Sequence, residues 1–293
     1  MRNILMFFAM LCSVTTMAKK EKNEPVAVII TAGQSNTDGR VMNSELLEYI
    51  KSNGFKHCHW CYGSGGQLRT DGFKLFWPKI VHDKNPERWA YDAVVYYRLE
   101  QALQRDFYVI KWSLGGTAID PECASTSKKY WTADEKWLTG NTSTLTGGKS
   151  LLKSFTEEID LCIDRQLSRL PEGYDIKAFL WHQGESDRRA GTRYYDNLKG
   201  VVEYVRQHLV QKTGKKKYAK LPFICGTVAR SNKQYNKDVE EAQRKLMKDM
   251  KNFYVVDMSD AELQRDQLHF TAPAAERLGN GMYEVLAKIM KLK

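Results

Sequence analysis

From residue 26 to the C-terminus, short apolar runs rich in β-branched residues alternate with longer amphipathic stretches. The apolar runs lie at 26–30, 108–112, 178–181, 223–225 (with Val228) and 253–256, and the helical patterns at 89–104, 151–169, 194–211, 234–250 and 272–290. Strands that alternate with helices in this way form βαβ units, which predict a mostly parallel sheet of five strands covered by helices on both faces. A chain of 293 residues that is 42% hydrophobic and 27% charged has enough apolar surface for such a core. That composition excludes intrinsic disorder, collagen-like repeats and a small disulfide scaffold. No Pro/Ser-rich linker or repeat interrupts residues 19–293, which are expected to form a single domain.

Residues 1–18 place one Arg before an apolar run that ends in small and polar residues at Ala18. This is the pattern of a secretory signal peptide, and it predicts an exported protein of bacterial type, periplasmic or extracellular. Five cysteines follow it (Cys58, Cys61, Cys123, Cys162 and Cys225), an odd number, so disulfides are optional and at least one thiol is expected to be free and buried. The chain carries 45 Lys+Arg against 35 Asp+Glu, a formal charge of +10. The basic residues are spread over helical faces, with a concentration at 212–220, and lack the aromatic-interleaved groove of a nucleic-acid binder. No nucleic-acid partner and no membrane span are expected; the oligomeric state is open.

In open α/β sheets, ligands sit beyond the carboxyl ends of the strands. The segments there read Ala32-Gly-Gln-Ser-Asn-Thr-Asp-Gly39, Ser113-Leu-Gly-Gly-Thr117 and His182-Gln-Gly-Glu-Ser-Asp187, with Arg265-Asp-Gln-Leu-His-Phe270 before the last helix. Ser35 needs a base to become a nucleophile, and His269 is the best candidate. Asp266 lies three residues before it, a spacing at which a turn lets the carboxylate hold one ring nitrogen while the other faces the serine. Gly115 and Gly116 offer backbone N–H groups to a developing oxyanion, and Gln183 offers a side-chain amide.

Taken together, Gly33-Gln34-Ser35-Asn36, Gly115-Gly116-Thr117, Trp181-His182-Gln183-Gly184-Glu185-Ser186-Asp187 and Asp266-x-x-His269 resemble the SGNH-type hydrolases. Within them the likeness is to family 6 carbohydrate esterases and sialate O-acetylesterase-like domains, over roughly residues 25–290. The resemblance implies a three-layer α/β/α sandwich of flavodoxin-like type around the five-stranded sheet. It implies Ser35 as nucleophile, His269 as base, and an oxyanion hole from the N–H of Ser35 with Gly116, or Gly115 as the alternative. Gln183 stands where the wider superfamily has an asparagine. Asp266 is expected to orient the histidine, and Glu185 corresponds to a carboxylate that some members use for that purpose. Gln34, Asn36, Trp60 and His182 are the expected substrate contacts. The implied activity is two-step removal of O-acetyl groups from an acetylated glycan, of acetylxylan or sialate type, with no metal or organic cofactor.

Aromatic residues near the motif loops (Trp60, Tyr62, Trp77, Trp112, Tyr130, Trp131 and Trp137) are a further supply of sugar contacts. The segment His57-Cys58-His59-Trp60-Cys61 reads as a loop, with three uses open: a disulfide or inert thiols, a pocket-lining role, or a metal half-site. Cys123 is a possible disulfide partner. Gly147-Gly-Lys-Ser150 lacks the first glycine of a phosphate-binding loop and reads as a turn and helix start. Two other functions fit the same chain: a non-catalytic glycan-binding protein on the esterase scaffold, and a lipid- or thioester-directed esterase.

Overall fold

The computed structural model describes residues 24–64, 67–79 and 87–292, so the expected signal peptide at 1–18 lies outside the described residues. In chain order the main elements are β1 (Val26–Gly33), the one-turn helix α1 (Ser35–Asp38), β2 (Cys58–Ser64), α2 (Asp92–Leu103), β3 (Phe107–Ser113) and α3 (Leu151–Arg165). They continue with β4 (Tyr174–His182), α4 (Gly191–Thr213), β5 (Phe223–Gly226), α5 (Lys237–Asp249), β6 (Phe253–Val256) and α6 (Ala272–Met290).

The strands lie side by side in the order β6-β5-β4-β1-β3-β2, parallel throughout. Two-residue strands at Gln67–Leu68 and Lys74–Leu75 pair antiparallel with β2 and bring the sheet to eight strands. All five expected strands are present, and without β2 their spatial order is the flavodoxin-like one. The helices form the outer layers: α2 and α6 pack on the face reached by Ala27, Ile29 and Val109, and α3, α4 and α5 on the face reached by Val28, Ile30 and Ile110. Burial on both faces is why these strands read as continuous apolar runs rather than alternating ones.

The expectation that residues 57–61 form a loop is corrected: they enter β2, a sixth parallel strand at the edge of the parallel sheet. The carboxylate of Glu100 on α2 accepts the N–H groups of Lys56, His57 and Cys58, each at 2.9 Å, and so leads the chain into the sheet. Strand alternation then sends Cys58 into one core and Cys61 into the other, so the two thiols cannot bridge each other. All five described cysteines are free and buried, so no disulfide involves Cys123 either. Trp60 is 5% exposed and stacks on Tyr62 inside the core, which corrects its expected place in a substrate pocket. Ser150 caps α3, its Oγ accepting the N–H of Lys153 at 3.2 Å, as expected for a turn and helix start. Among the described residues no helix is long and apolar enough to cross a membrane.

Candidate active site

Parallel register levels three of the motif loops. Gly33 at the end of β1 pairs with Ser113 at the end of β3 on one side and with His182 at the end of β4 on the other. The segments that follow these three residues therefore leave the sheet side by side. The fourth motif arrives from the connection between β6 and α6. It is tied to α1 by Asn36, whose Oδ1 accepts the N–H of Phe270 at 3.1 Å.

A cavity of about 510 Å³ opens where these segments meet, lined by Gln34, Ser35, Gly115, Gly116, Glu185 and His269 among others. Ser35 is 7% exposed. The ring of His269 donates from Nδ1 to Asp266 Oδ2 at 2.5 Å, which leaves Nε2 as the proton acceptor. Asp266 in turn accepts the N–H groups of Leu268 and His269 through Oδ1, at 2.9 and 3.0 Å. Burial pushes the Asp266 carboxyl up, but these backbone bonds and the bond from His269 outweigh it and hold the group below its ordinary value. Asp266 is thus an anionic, turn-fixed partner for the histidine.

Among the described residues, the backbone N–H groups of Ser35, Gly115 and Gly116 donate to no protein acceptor. Gly116 adopts φ +68°, a left-handed conformation that a side chain would strain, and a Cβ there would lie 2.5 Å from Thr126 Oγ1. A serine hydroxyl, a histidine held by a carboxylate, and unengaged N–H donors in one cavity are the parts that acyl transfer requires.

Several expected site residues support the site from beneath it. Gln183 is fully buried, and its amide donates to Asp187 Oδ2 at 2.5 Å and to the Thr117 carbonyl at 3.2 Å, so it does not face the cavity as an oxyanion donor. Asp187 also accepts the N–H groups of Ile119 and Asp120, which clamps the glycine loop to the loop after β4. Burial raises the Asp187 carboxyl to about 6 despite those bonds.

His182 is likewise fully buried, its Nε2 donating to Glu185 Oε1 at 3.1 Å, and is not a substrate contact. Asn36 donates to that same Glu185 oxygen at 2.9 Å, and with Phe270 on its other side it links three loops rather than reaching the cavity. Glu185 faces the cavity, yet its partners are His182 and Asn36, not His269. Burial acts to raise its carboxyl, and interaction with His182 and the hydrogen bonds from His182 and Asn36 bring it below its ordinary value. Gln34 lines the cavity, its Oε1 accepting the N–H of Ser186 at 3.3 Å.

Residues passed over in the sequence also line the cavity: Arg40, Arg188, Arg189 and Gln234, with Ser125 and Thr126. Arg40 directly follows the first motif, and Arg188 and Arg189 follow the third, so proximity to a motif was the available signal. Aromatic residues, expected as sugar platforms, are absent from the lining among the described residues; Trp112 and Trp131 are fully buried in the core.

A family model described as "Carbohydrate esterase, sialic acid-specific acetylesterase" matches residues 109–288, more than half of the chain. A probable carbohydrate esterase of Arabidopsis thaliana is 32% identical over 123 residues, which make up 40% of this chain and 44% of that protein, so the match spans less than half of the relative's length. The solved structure of that Arabidopsis protein is similar with a TM-score of 0.63 at 20% identity, covering 90% of this chain and 98% of that one. NanS is similar with a TM-score of 0.60 at 12% identity, over 92% and 99% of the two chains. A carbohydrate acetylesterase from Xanthomonas citri gives 0.58 at 13% identity, over 89% of this chain and 56% of that one. At these identities the structural likeness speaks to the fold.

Proposed function

We propose a function from one premise: the chain belongs to the family of carbohydrate esterases described as sialic acid-specific acetylesterases. The protein removes O-acetyl groups from a sugar by serine-dependent acyl transfer. Ser35 Oγ attacks the ester carbonyl as His269 Nε2 takes its proton, and the carbonyl π pair moves onto oxygen, where the N–H groups of Ser35 and Gly116, with Gly115 beside them, receive it. Collapse breaks the bond to the sugar oxygen, which takes the proton from His269. Water, deprotonated by the same histidine, then releases acetate from the acetyl-serine. Asp266 holds the imidazole in the tautomer that this cycle needs and stabilises the imidazolium.

The observation that carries this reading is that His269, held at Nδ1 by Asp266, lines one cavity with Ser35. The cavity lining also bears on the substrate. Three arginines line it, and among the described residues its one carboxylate is Glu185, whose Oε1 accepts from His182 and Asn36. Such a lining favours a sugar that itself bears a carboxylate over neutral acetylxylan. Among the described residues, Ala124 and Leu268 are its only apolar members, which is poor accommodation for a long acyl chain.

Acetate release from O-acetylated sialic acid, acetylated xylan and nitrophenyl esters tests the proposal. The expected result is turnover of the acidic sugar, preference for acetate over octanoate esters, and loss of all turnover in Ser35→Ala. Full activity in Ser35→Ala would remove the assigned nucleophile, and preference for octanoate would remove the acetylesterase reading. Tight glycan binding without turnover would favour a binding protein instead.

A further inference from the structure

We propose that Arg40 is a catalytic residue of this site, its guanidinium supplying positive charge to the oxyanion that forms beside Ser35 and Gly115. The proposal rests on the esterase reading and adds to it a side-chain cation where that reading has only backbone N–H groups.

Arg40 is held from one side by a fixed carboxylate. Its Nη1 donates to Asp38 Oδ2 at 3.0 Å and to the Gly39 carbonyl at 2.6 Å. Asp38 is buried, and its other oxygen accepts the hydroxyls of Ser64 and Ser113, each at 3.1 Å, from the ends of β2 and β3. The sheet therefore anchors the carboxylate, and the carboxylate orients the guanidinium.

The other nitrogen, Nη2, lies against the glycine loop. A Cβ built on Gly115 would come within 2.0 Å of Arg40 Nη2 and within 3.5 Å of Ser35 Cβ. The guanidinium thus occupies the space that a side chain at Gly115 would take, beside Ser35. Arg40 also lines the cavity that holds Ser35 and His269, with its side chain only 17% exposed.

A planar cation that is already oriented, largely shielded from water and adjacent to the carbonyl needs no reorganisation when negative charge appears there. Arg40 neither gains nor loses a proton: the serine proton goes to His269 and returns to the leaving sugar oxygen. Arg188 and Arg189 are exposed at the rim, where a substrate carboxylate arrives, whereas Arg40 sits beside the reacting centre.

The test compares wild type, Arg40→Gln and Arg40→Lys on 4-nitrophenyl acetate, which has no carboxylate to anchor, with melting temperatures recorded alongside. Removing one such donor typically costs 10²–10³ in rate, so Arg40→Gln is expected to lower kcat by about 100-fold with KM within about threefold. Arg40→Lys, which keeps the charge but not the planar fork, is expected to fall between the two. Millimolar guanidinium ion should restore part of the Arg40→Gln rate and leave wild type unchanged, a response that a merely structural role would not produce. A folded Arg40→Gln with wild-type kcat overturns the proposal, as does an equal loss in both variants that follows a fall in melting temperature and is not rescued. If Arg40→Gln does not fold, Arg40→Lys is read instead: lowered kcat at unchanged KM and melting temperature supports the proposal, and wild-type kcat overturns it. A wild-type protein that does not cleave the ester removes the esterase reading itself, whereas cleavage by wild type and Arg40→Gln alike removes only the role of Arg40.

Discussion

Two carboxylates competed for the role of orienting His269, and their surroundings separate them. Asp266 sits on His269 Nδ1 at 2.5 Å, whereas Glu185 is bound by His182 and Asn36. Asp266→Asn is therefore expected to lower kcat by about 10⁴, the cost of a wrongly held tautomer, with little change in melting temperature. Glu185→Gln should show the opposite balance, a clear fall in melting temperature and a loss in kcat of less than about tenfold, because it weakens a buried post. Nitrophenyl acetate kinetics and thermal melts on the two variants check this, and a larger kcat loss in Glu185→Gln would reverse the assignment. The Asp266-x-x-His269 pairing was legible in the sequence because a turn of four residues makes it locally. The direction of Gln183 was not, since it depends also on the Thr117 carbonyl and the Tyr194 hydroxyl, which lie outside its own motif.

The five central strands and their helices were legible because burial on both faces leaves short, mostly apolar runs, broken in β3 only by the buried Lys111. β2 was not, since His59, Gly63 and Ser64 interrupt its apolar residues and its entry is fixed by Glu100 on α2. Ion pairs hold other elements in a similar way. Glu240 on α5 accepts from Arg230, Tyr235 and Arg244, and the Arg230 bonds first, then those of Tyr235 and Arg244, hold its carboxyl at about 2 against an ordinary 4.5. A group whose folded pKa is depressed stabilises the fold above its unfolded pKa, and that stability is lost as pH falls toward the folded one. Thermal melts between pH 5 and pH 2 should show a shallower acid decline for Glu240→Gln than for wild type between about 4.5 and about 2. Parallel curves for the two proteins would show that Glu240 does not contribute to acid sensitivity.

At the scale of the whole molecule, the chain carries a net charge of +10, and its cavity itself presents Arg40, Arg188 and Arg189. Attraction of an acidic sugar to that field is screened by salt, whereas the chemical step inside the cavity is not. Raising salt from about 0.1 M to about 1 M, which shortens the Debye length from about 10 Å to about 3 Å, should raise KM for an acetylated acidic sugar several-fold. KM for 4-nitrophenyl acetate should not change, and a salt-independent KM for the acidic sugar would argue for a neutral substrate. The sequence by itself determined the alternation of strands and helices, and the serine, glycine and histidine motifs at their ends, because periodicity and short spacing are local properties. Only the tertiary structure decided which of the polar residues in those motifs face the cavity. It turned Gln183, His182 and Asn36 into supports and brought Arg40 beside Ser35. The physical reason is that a side chain's direction follows from its burial and from partners on distant segments, such as the Thr117 carbonyl for Gln183 and, acting through Asp38, Ser64 and Ser113 for Arg40.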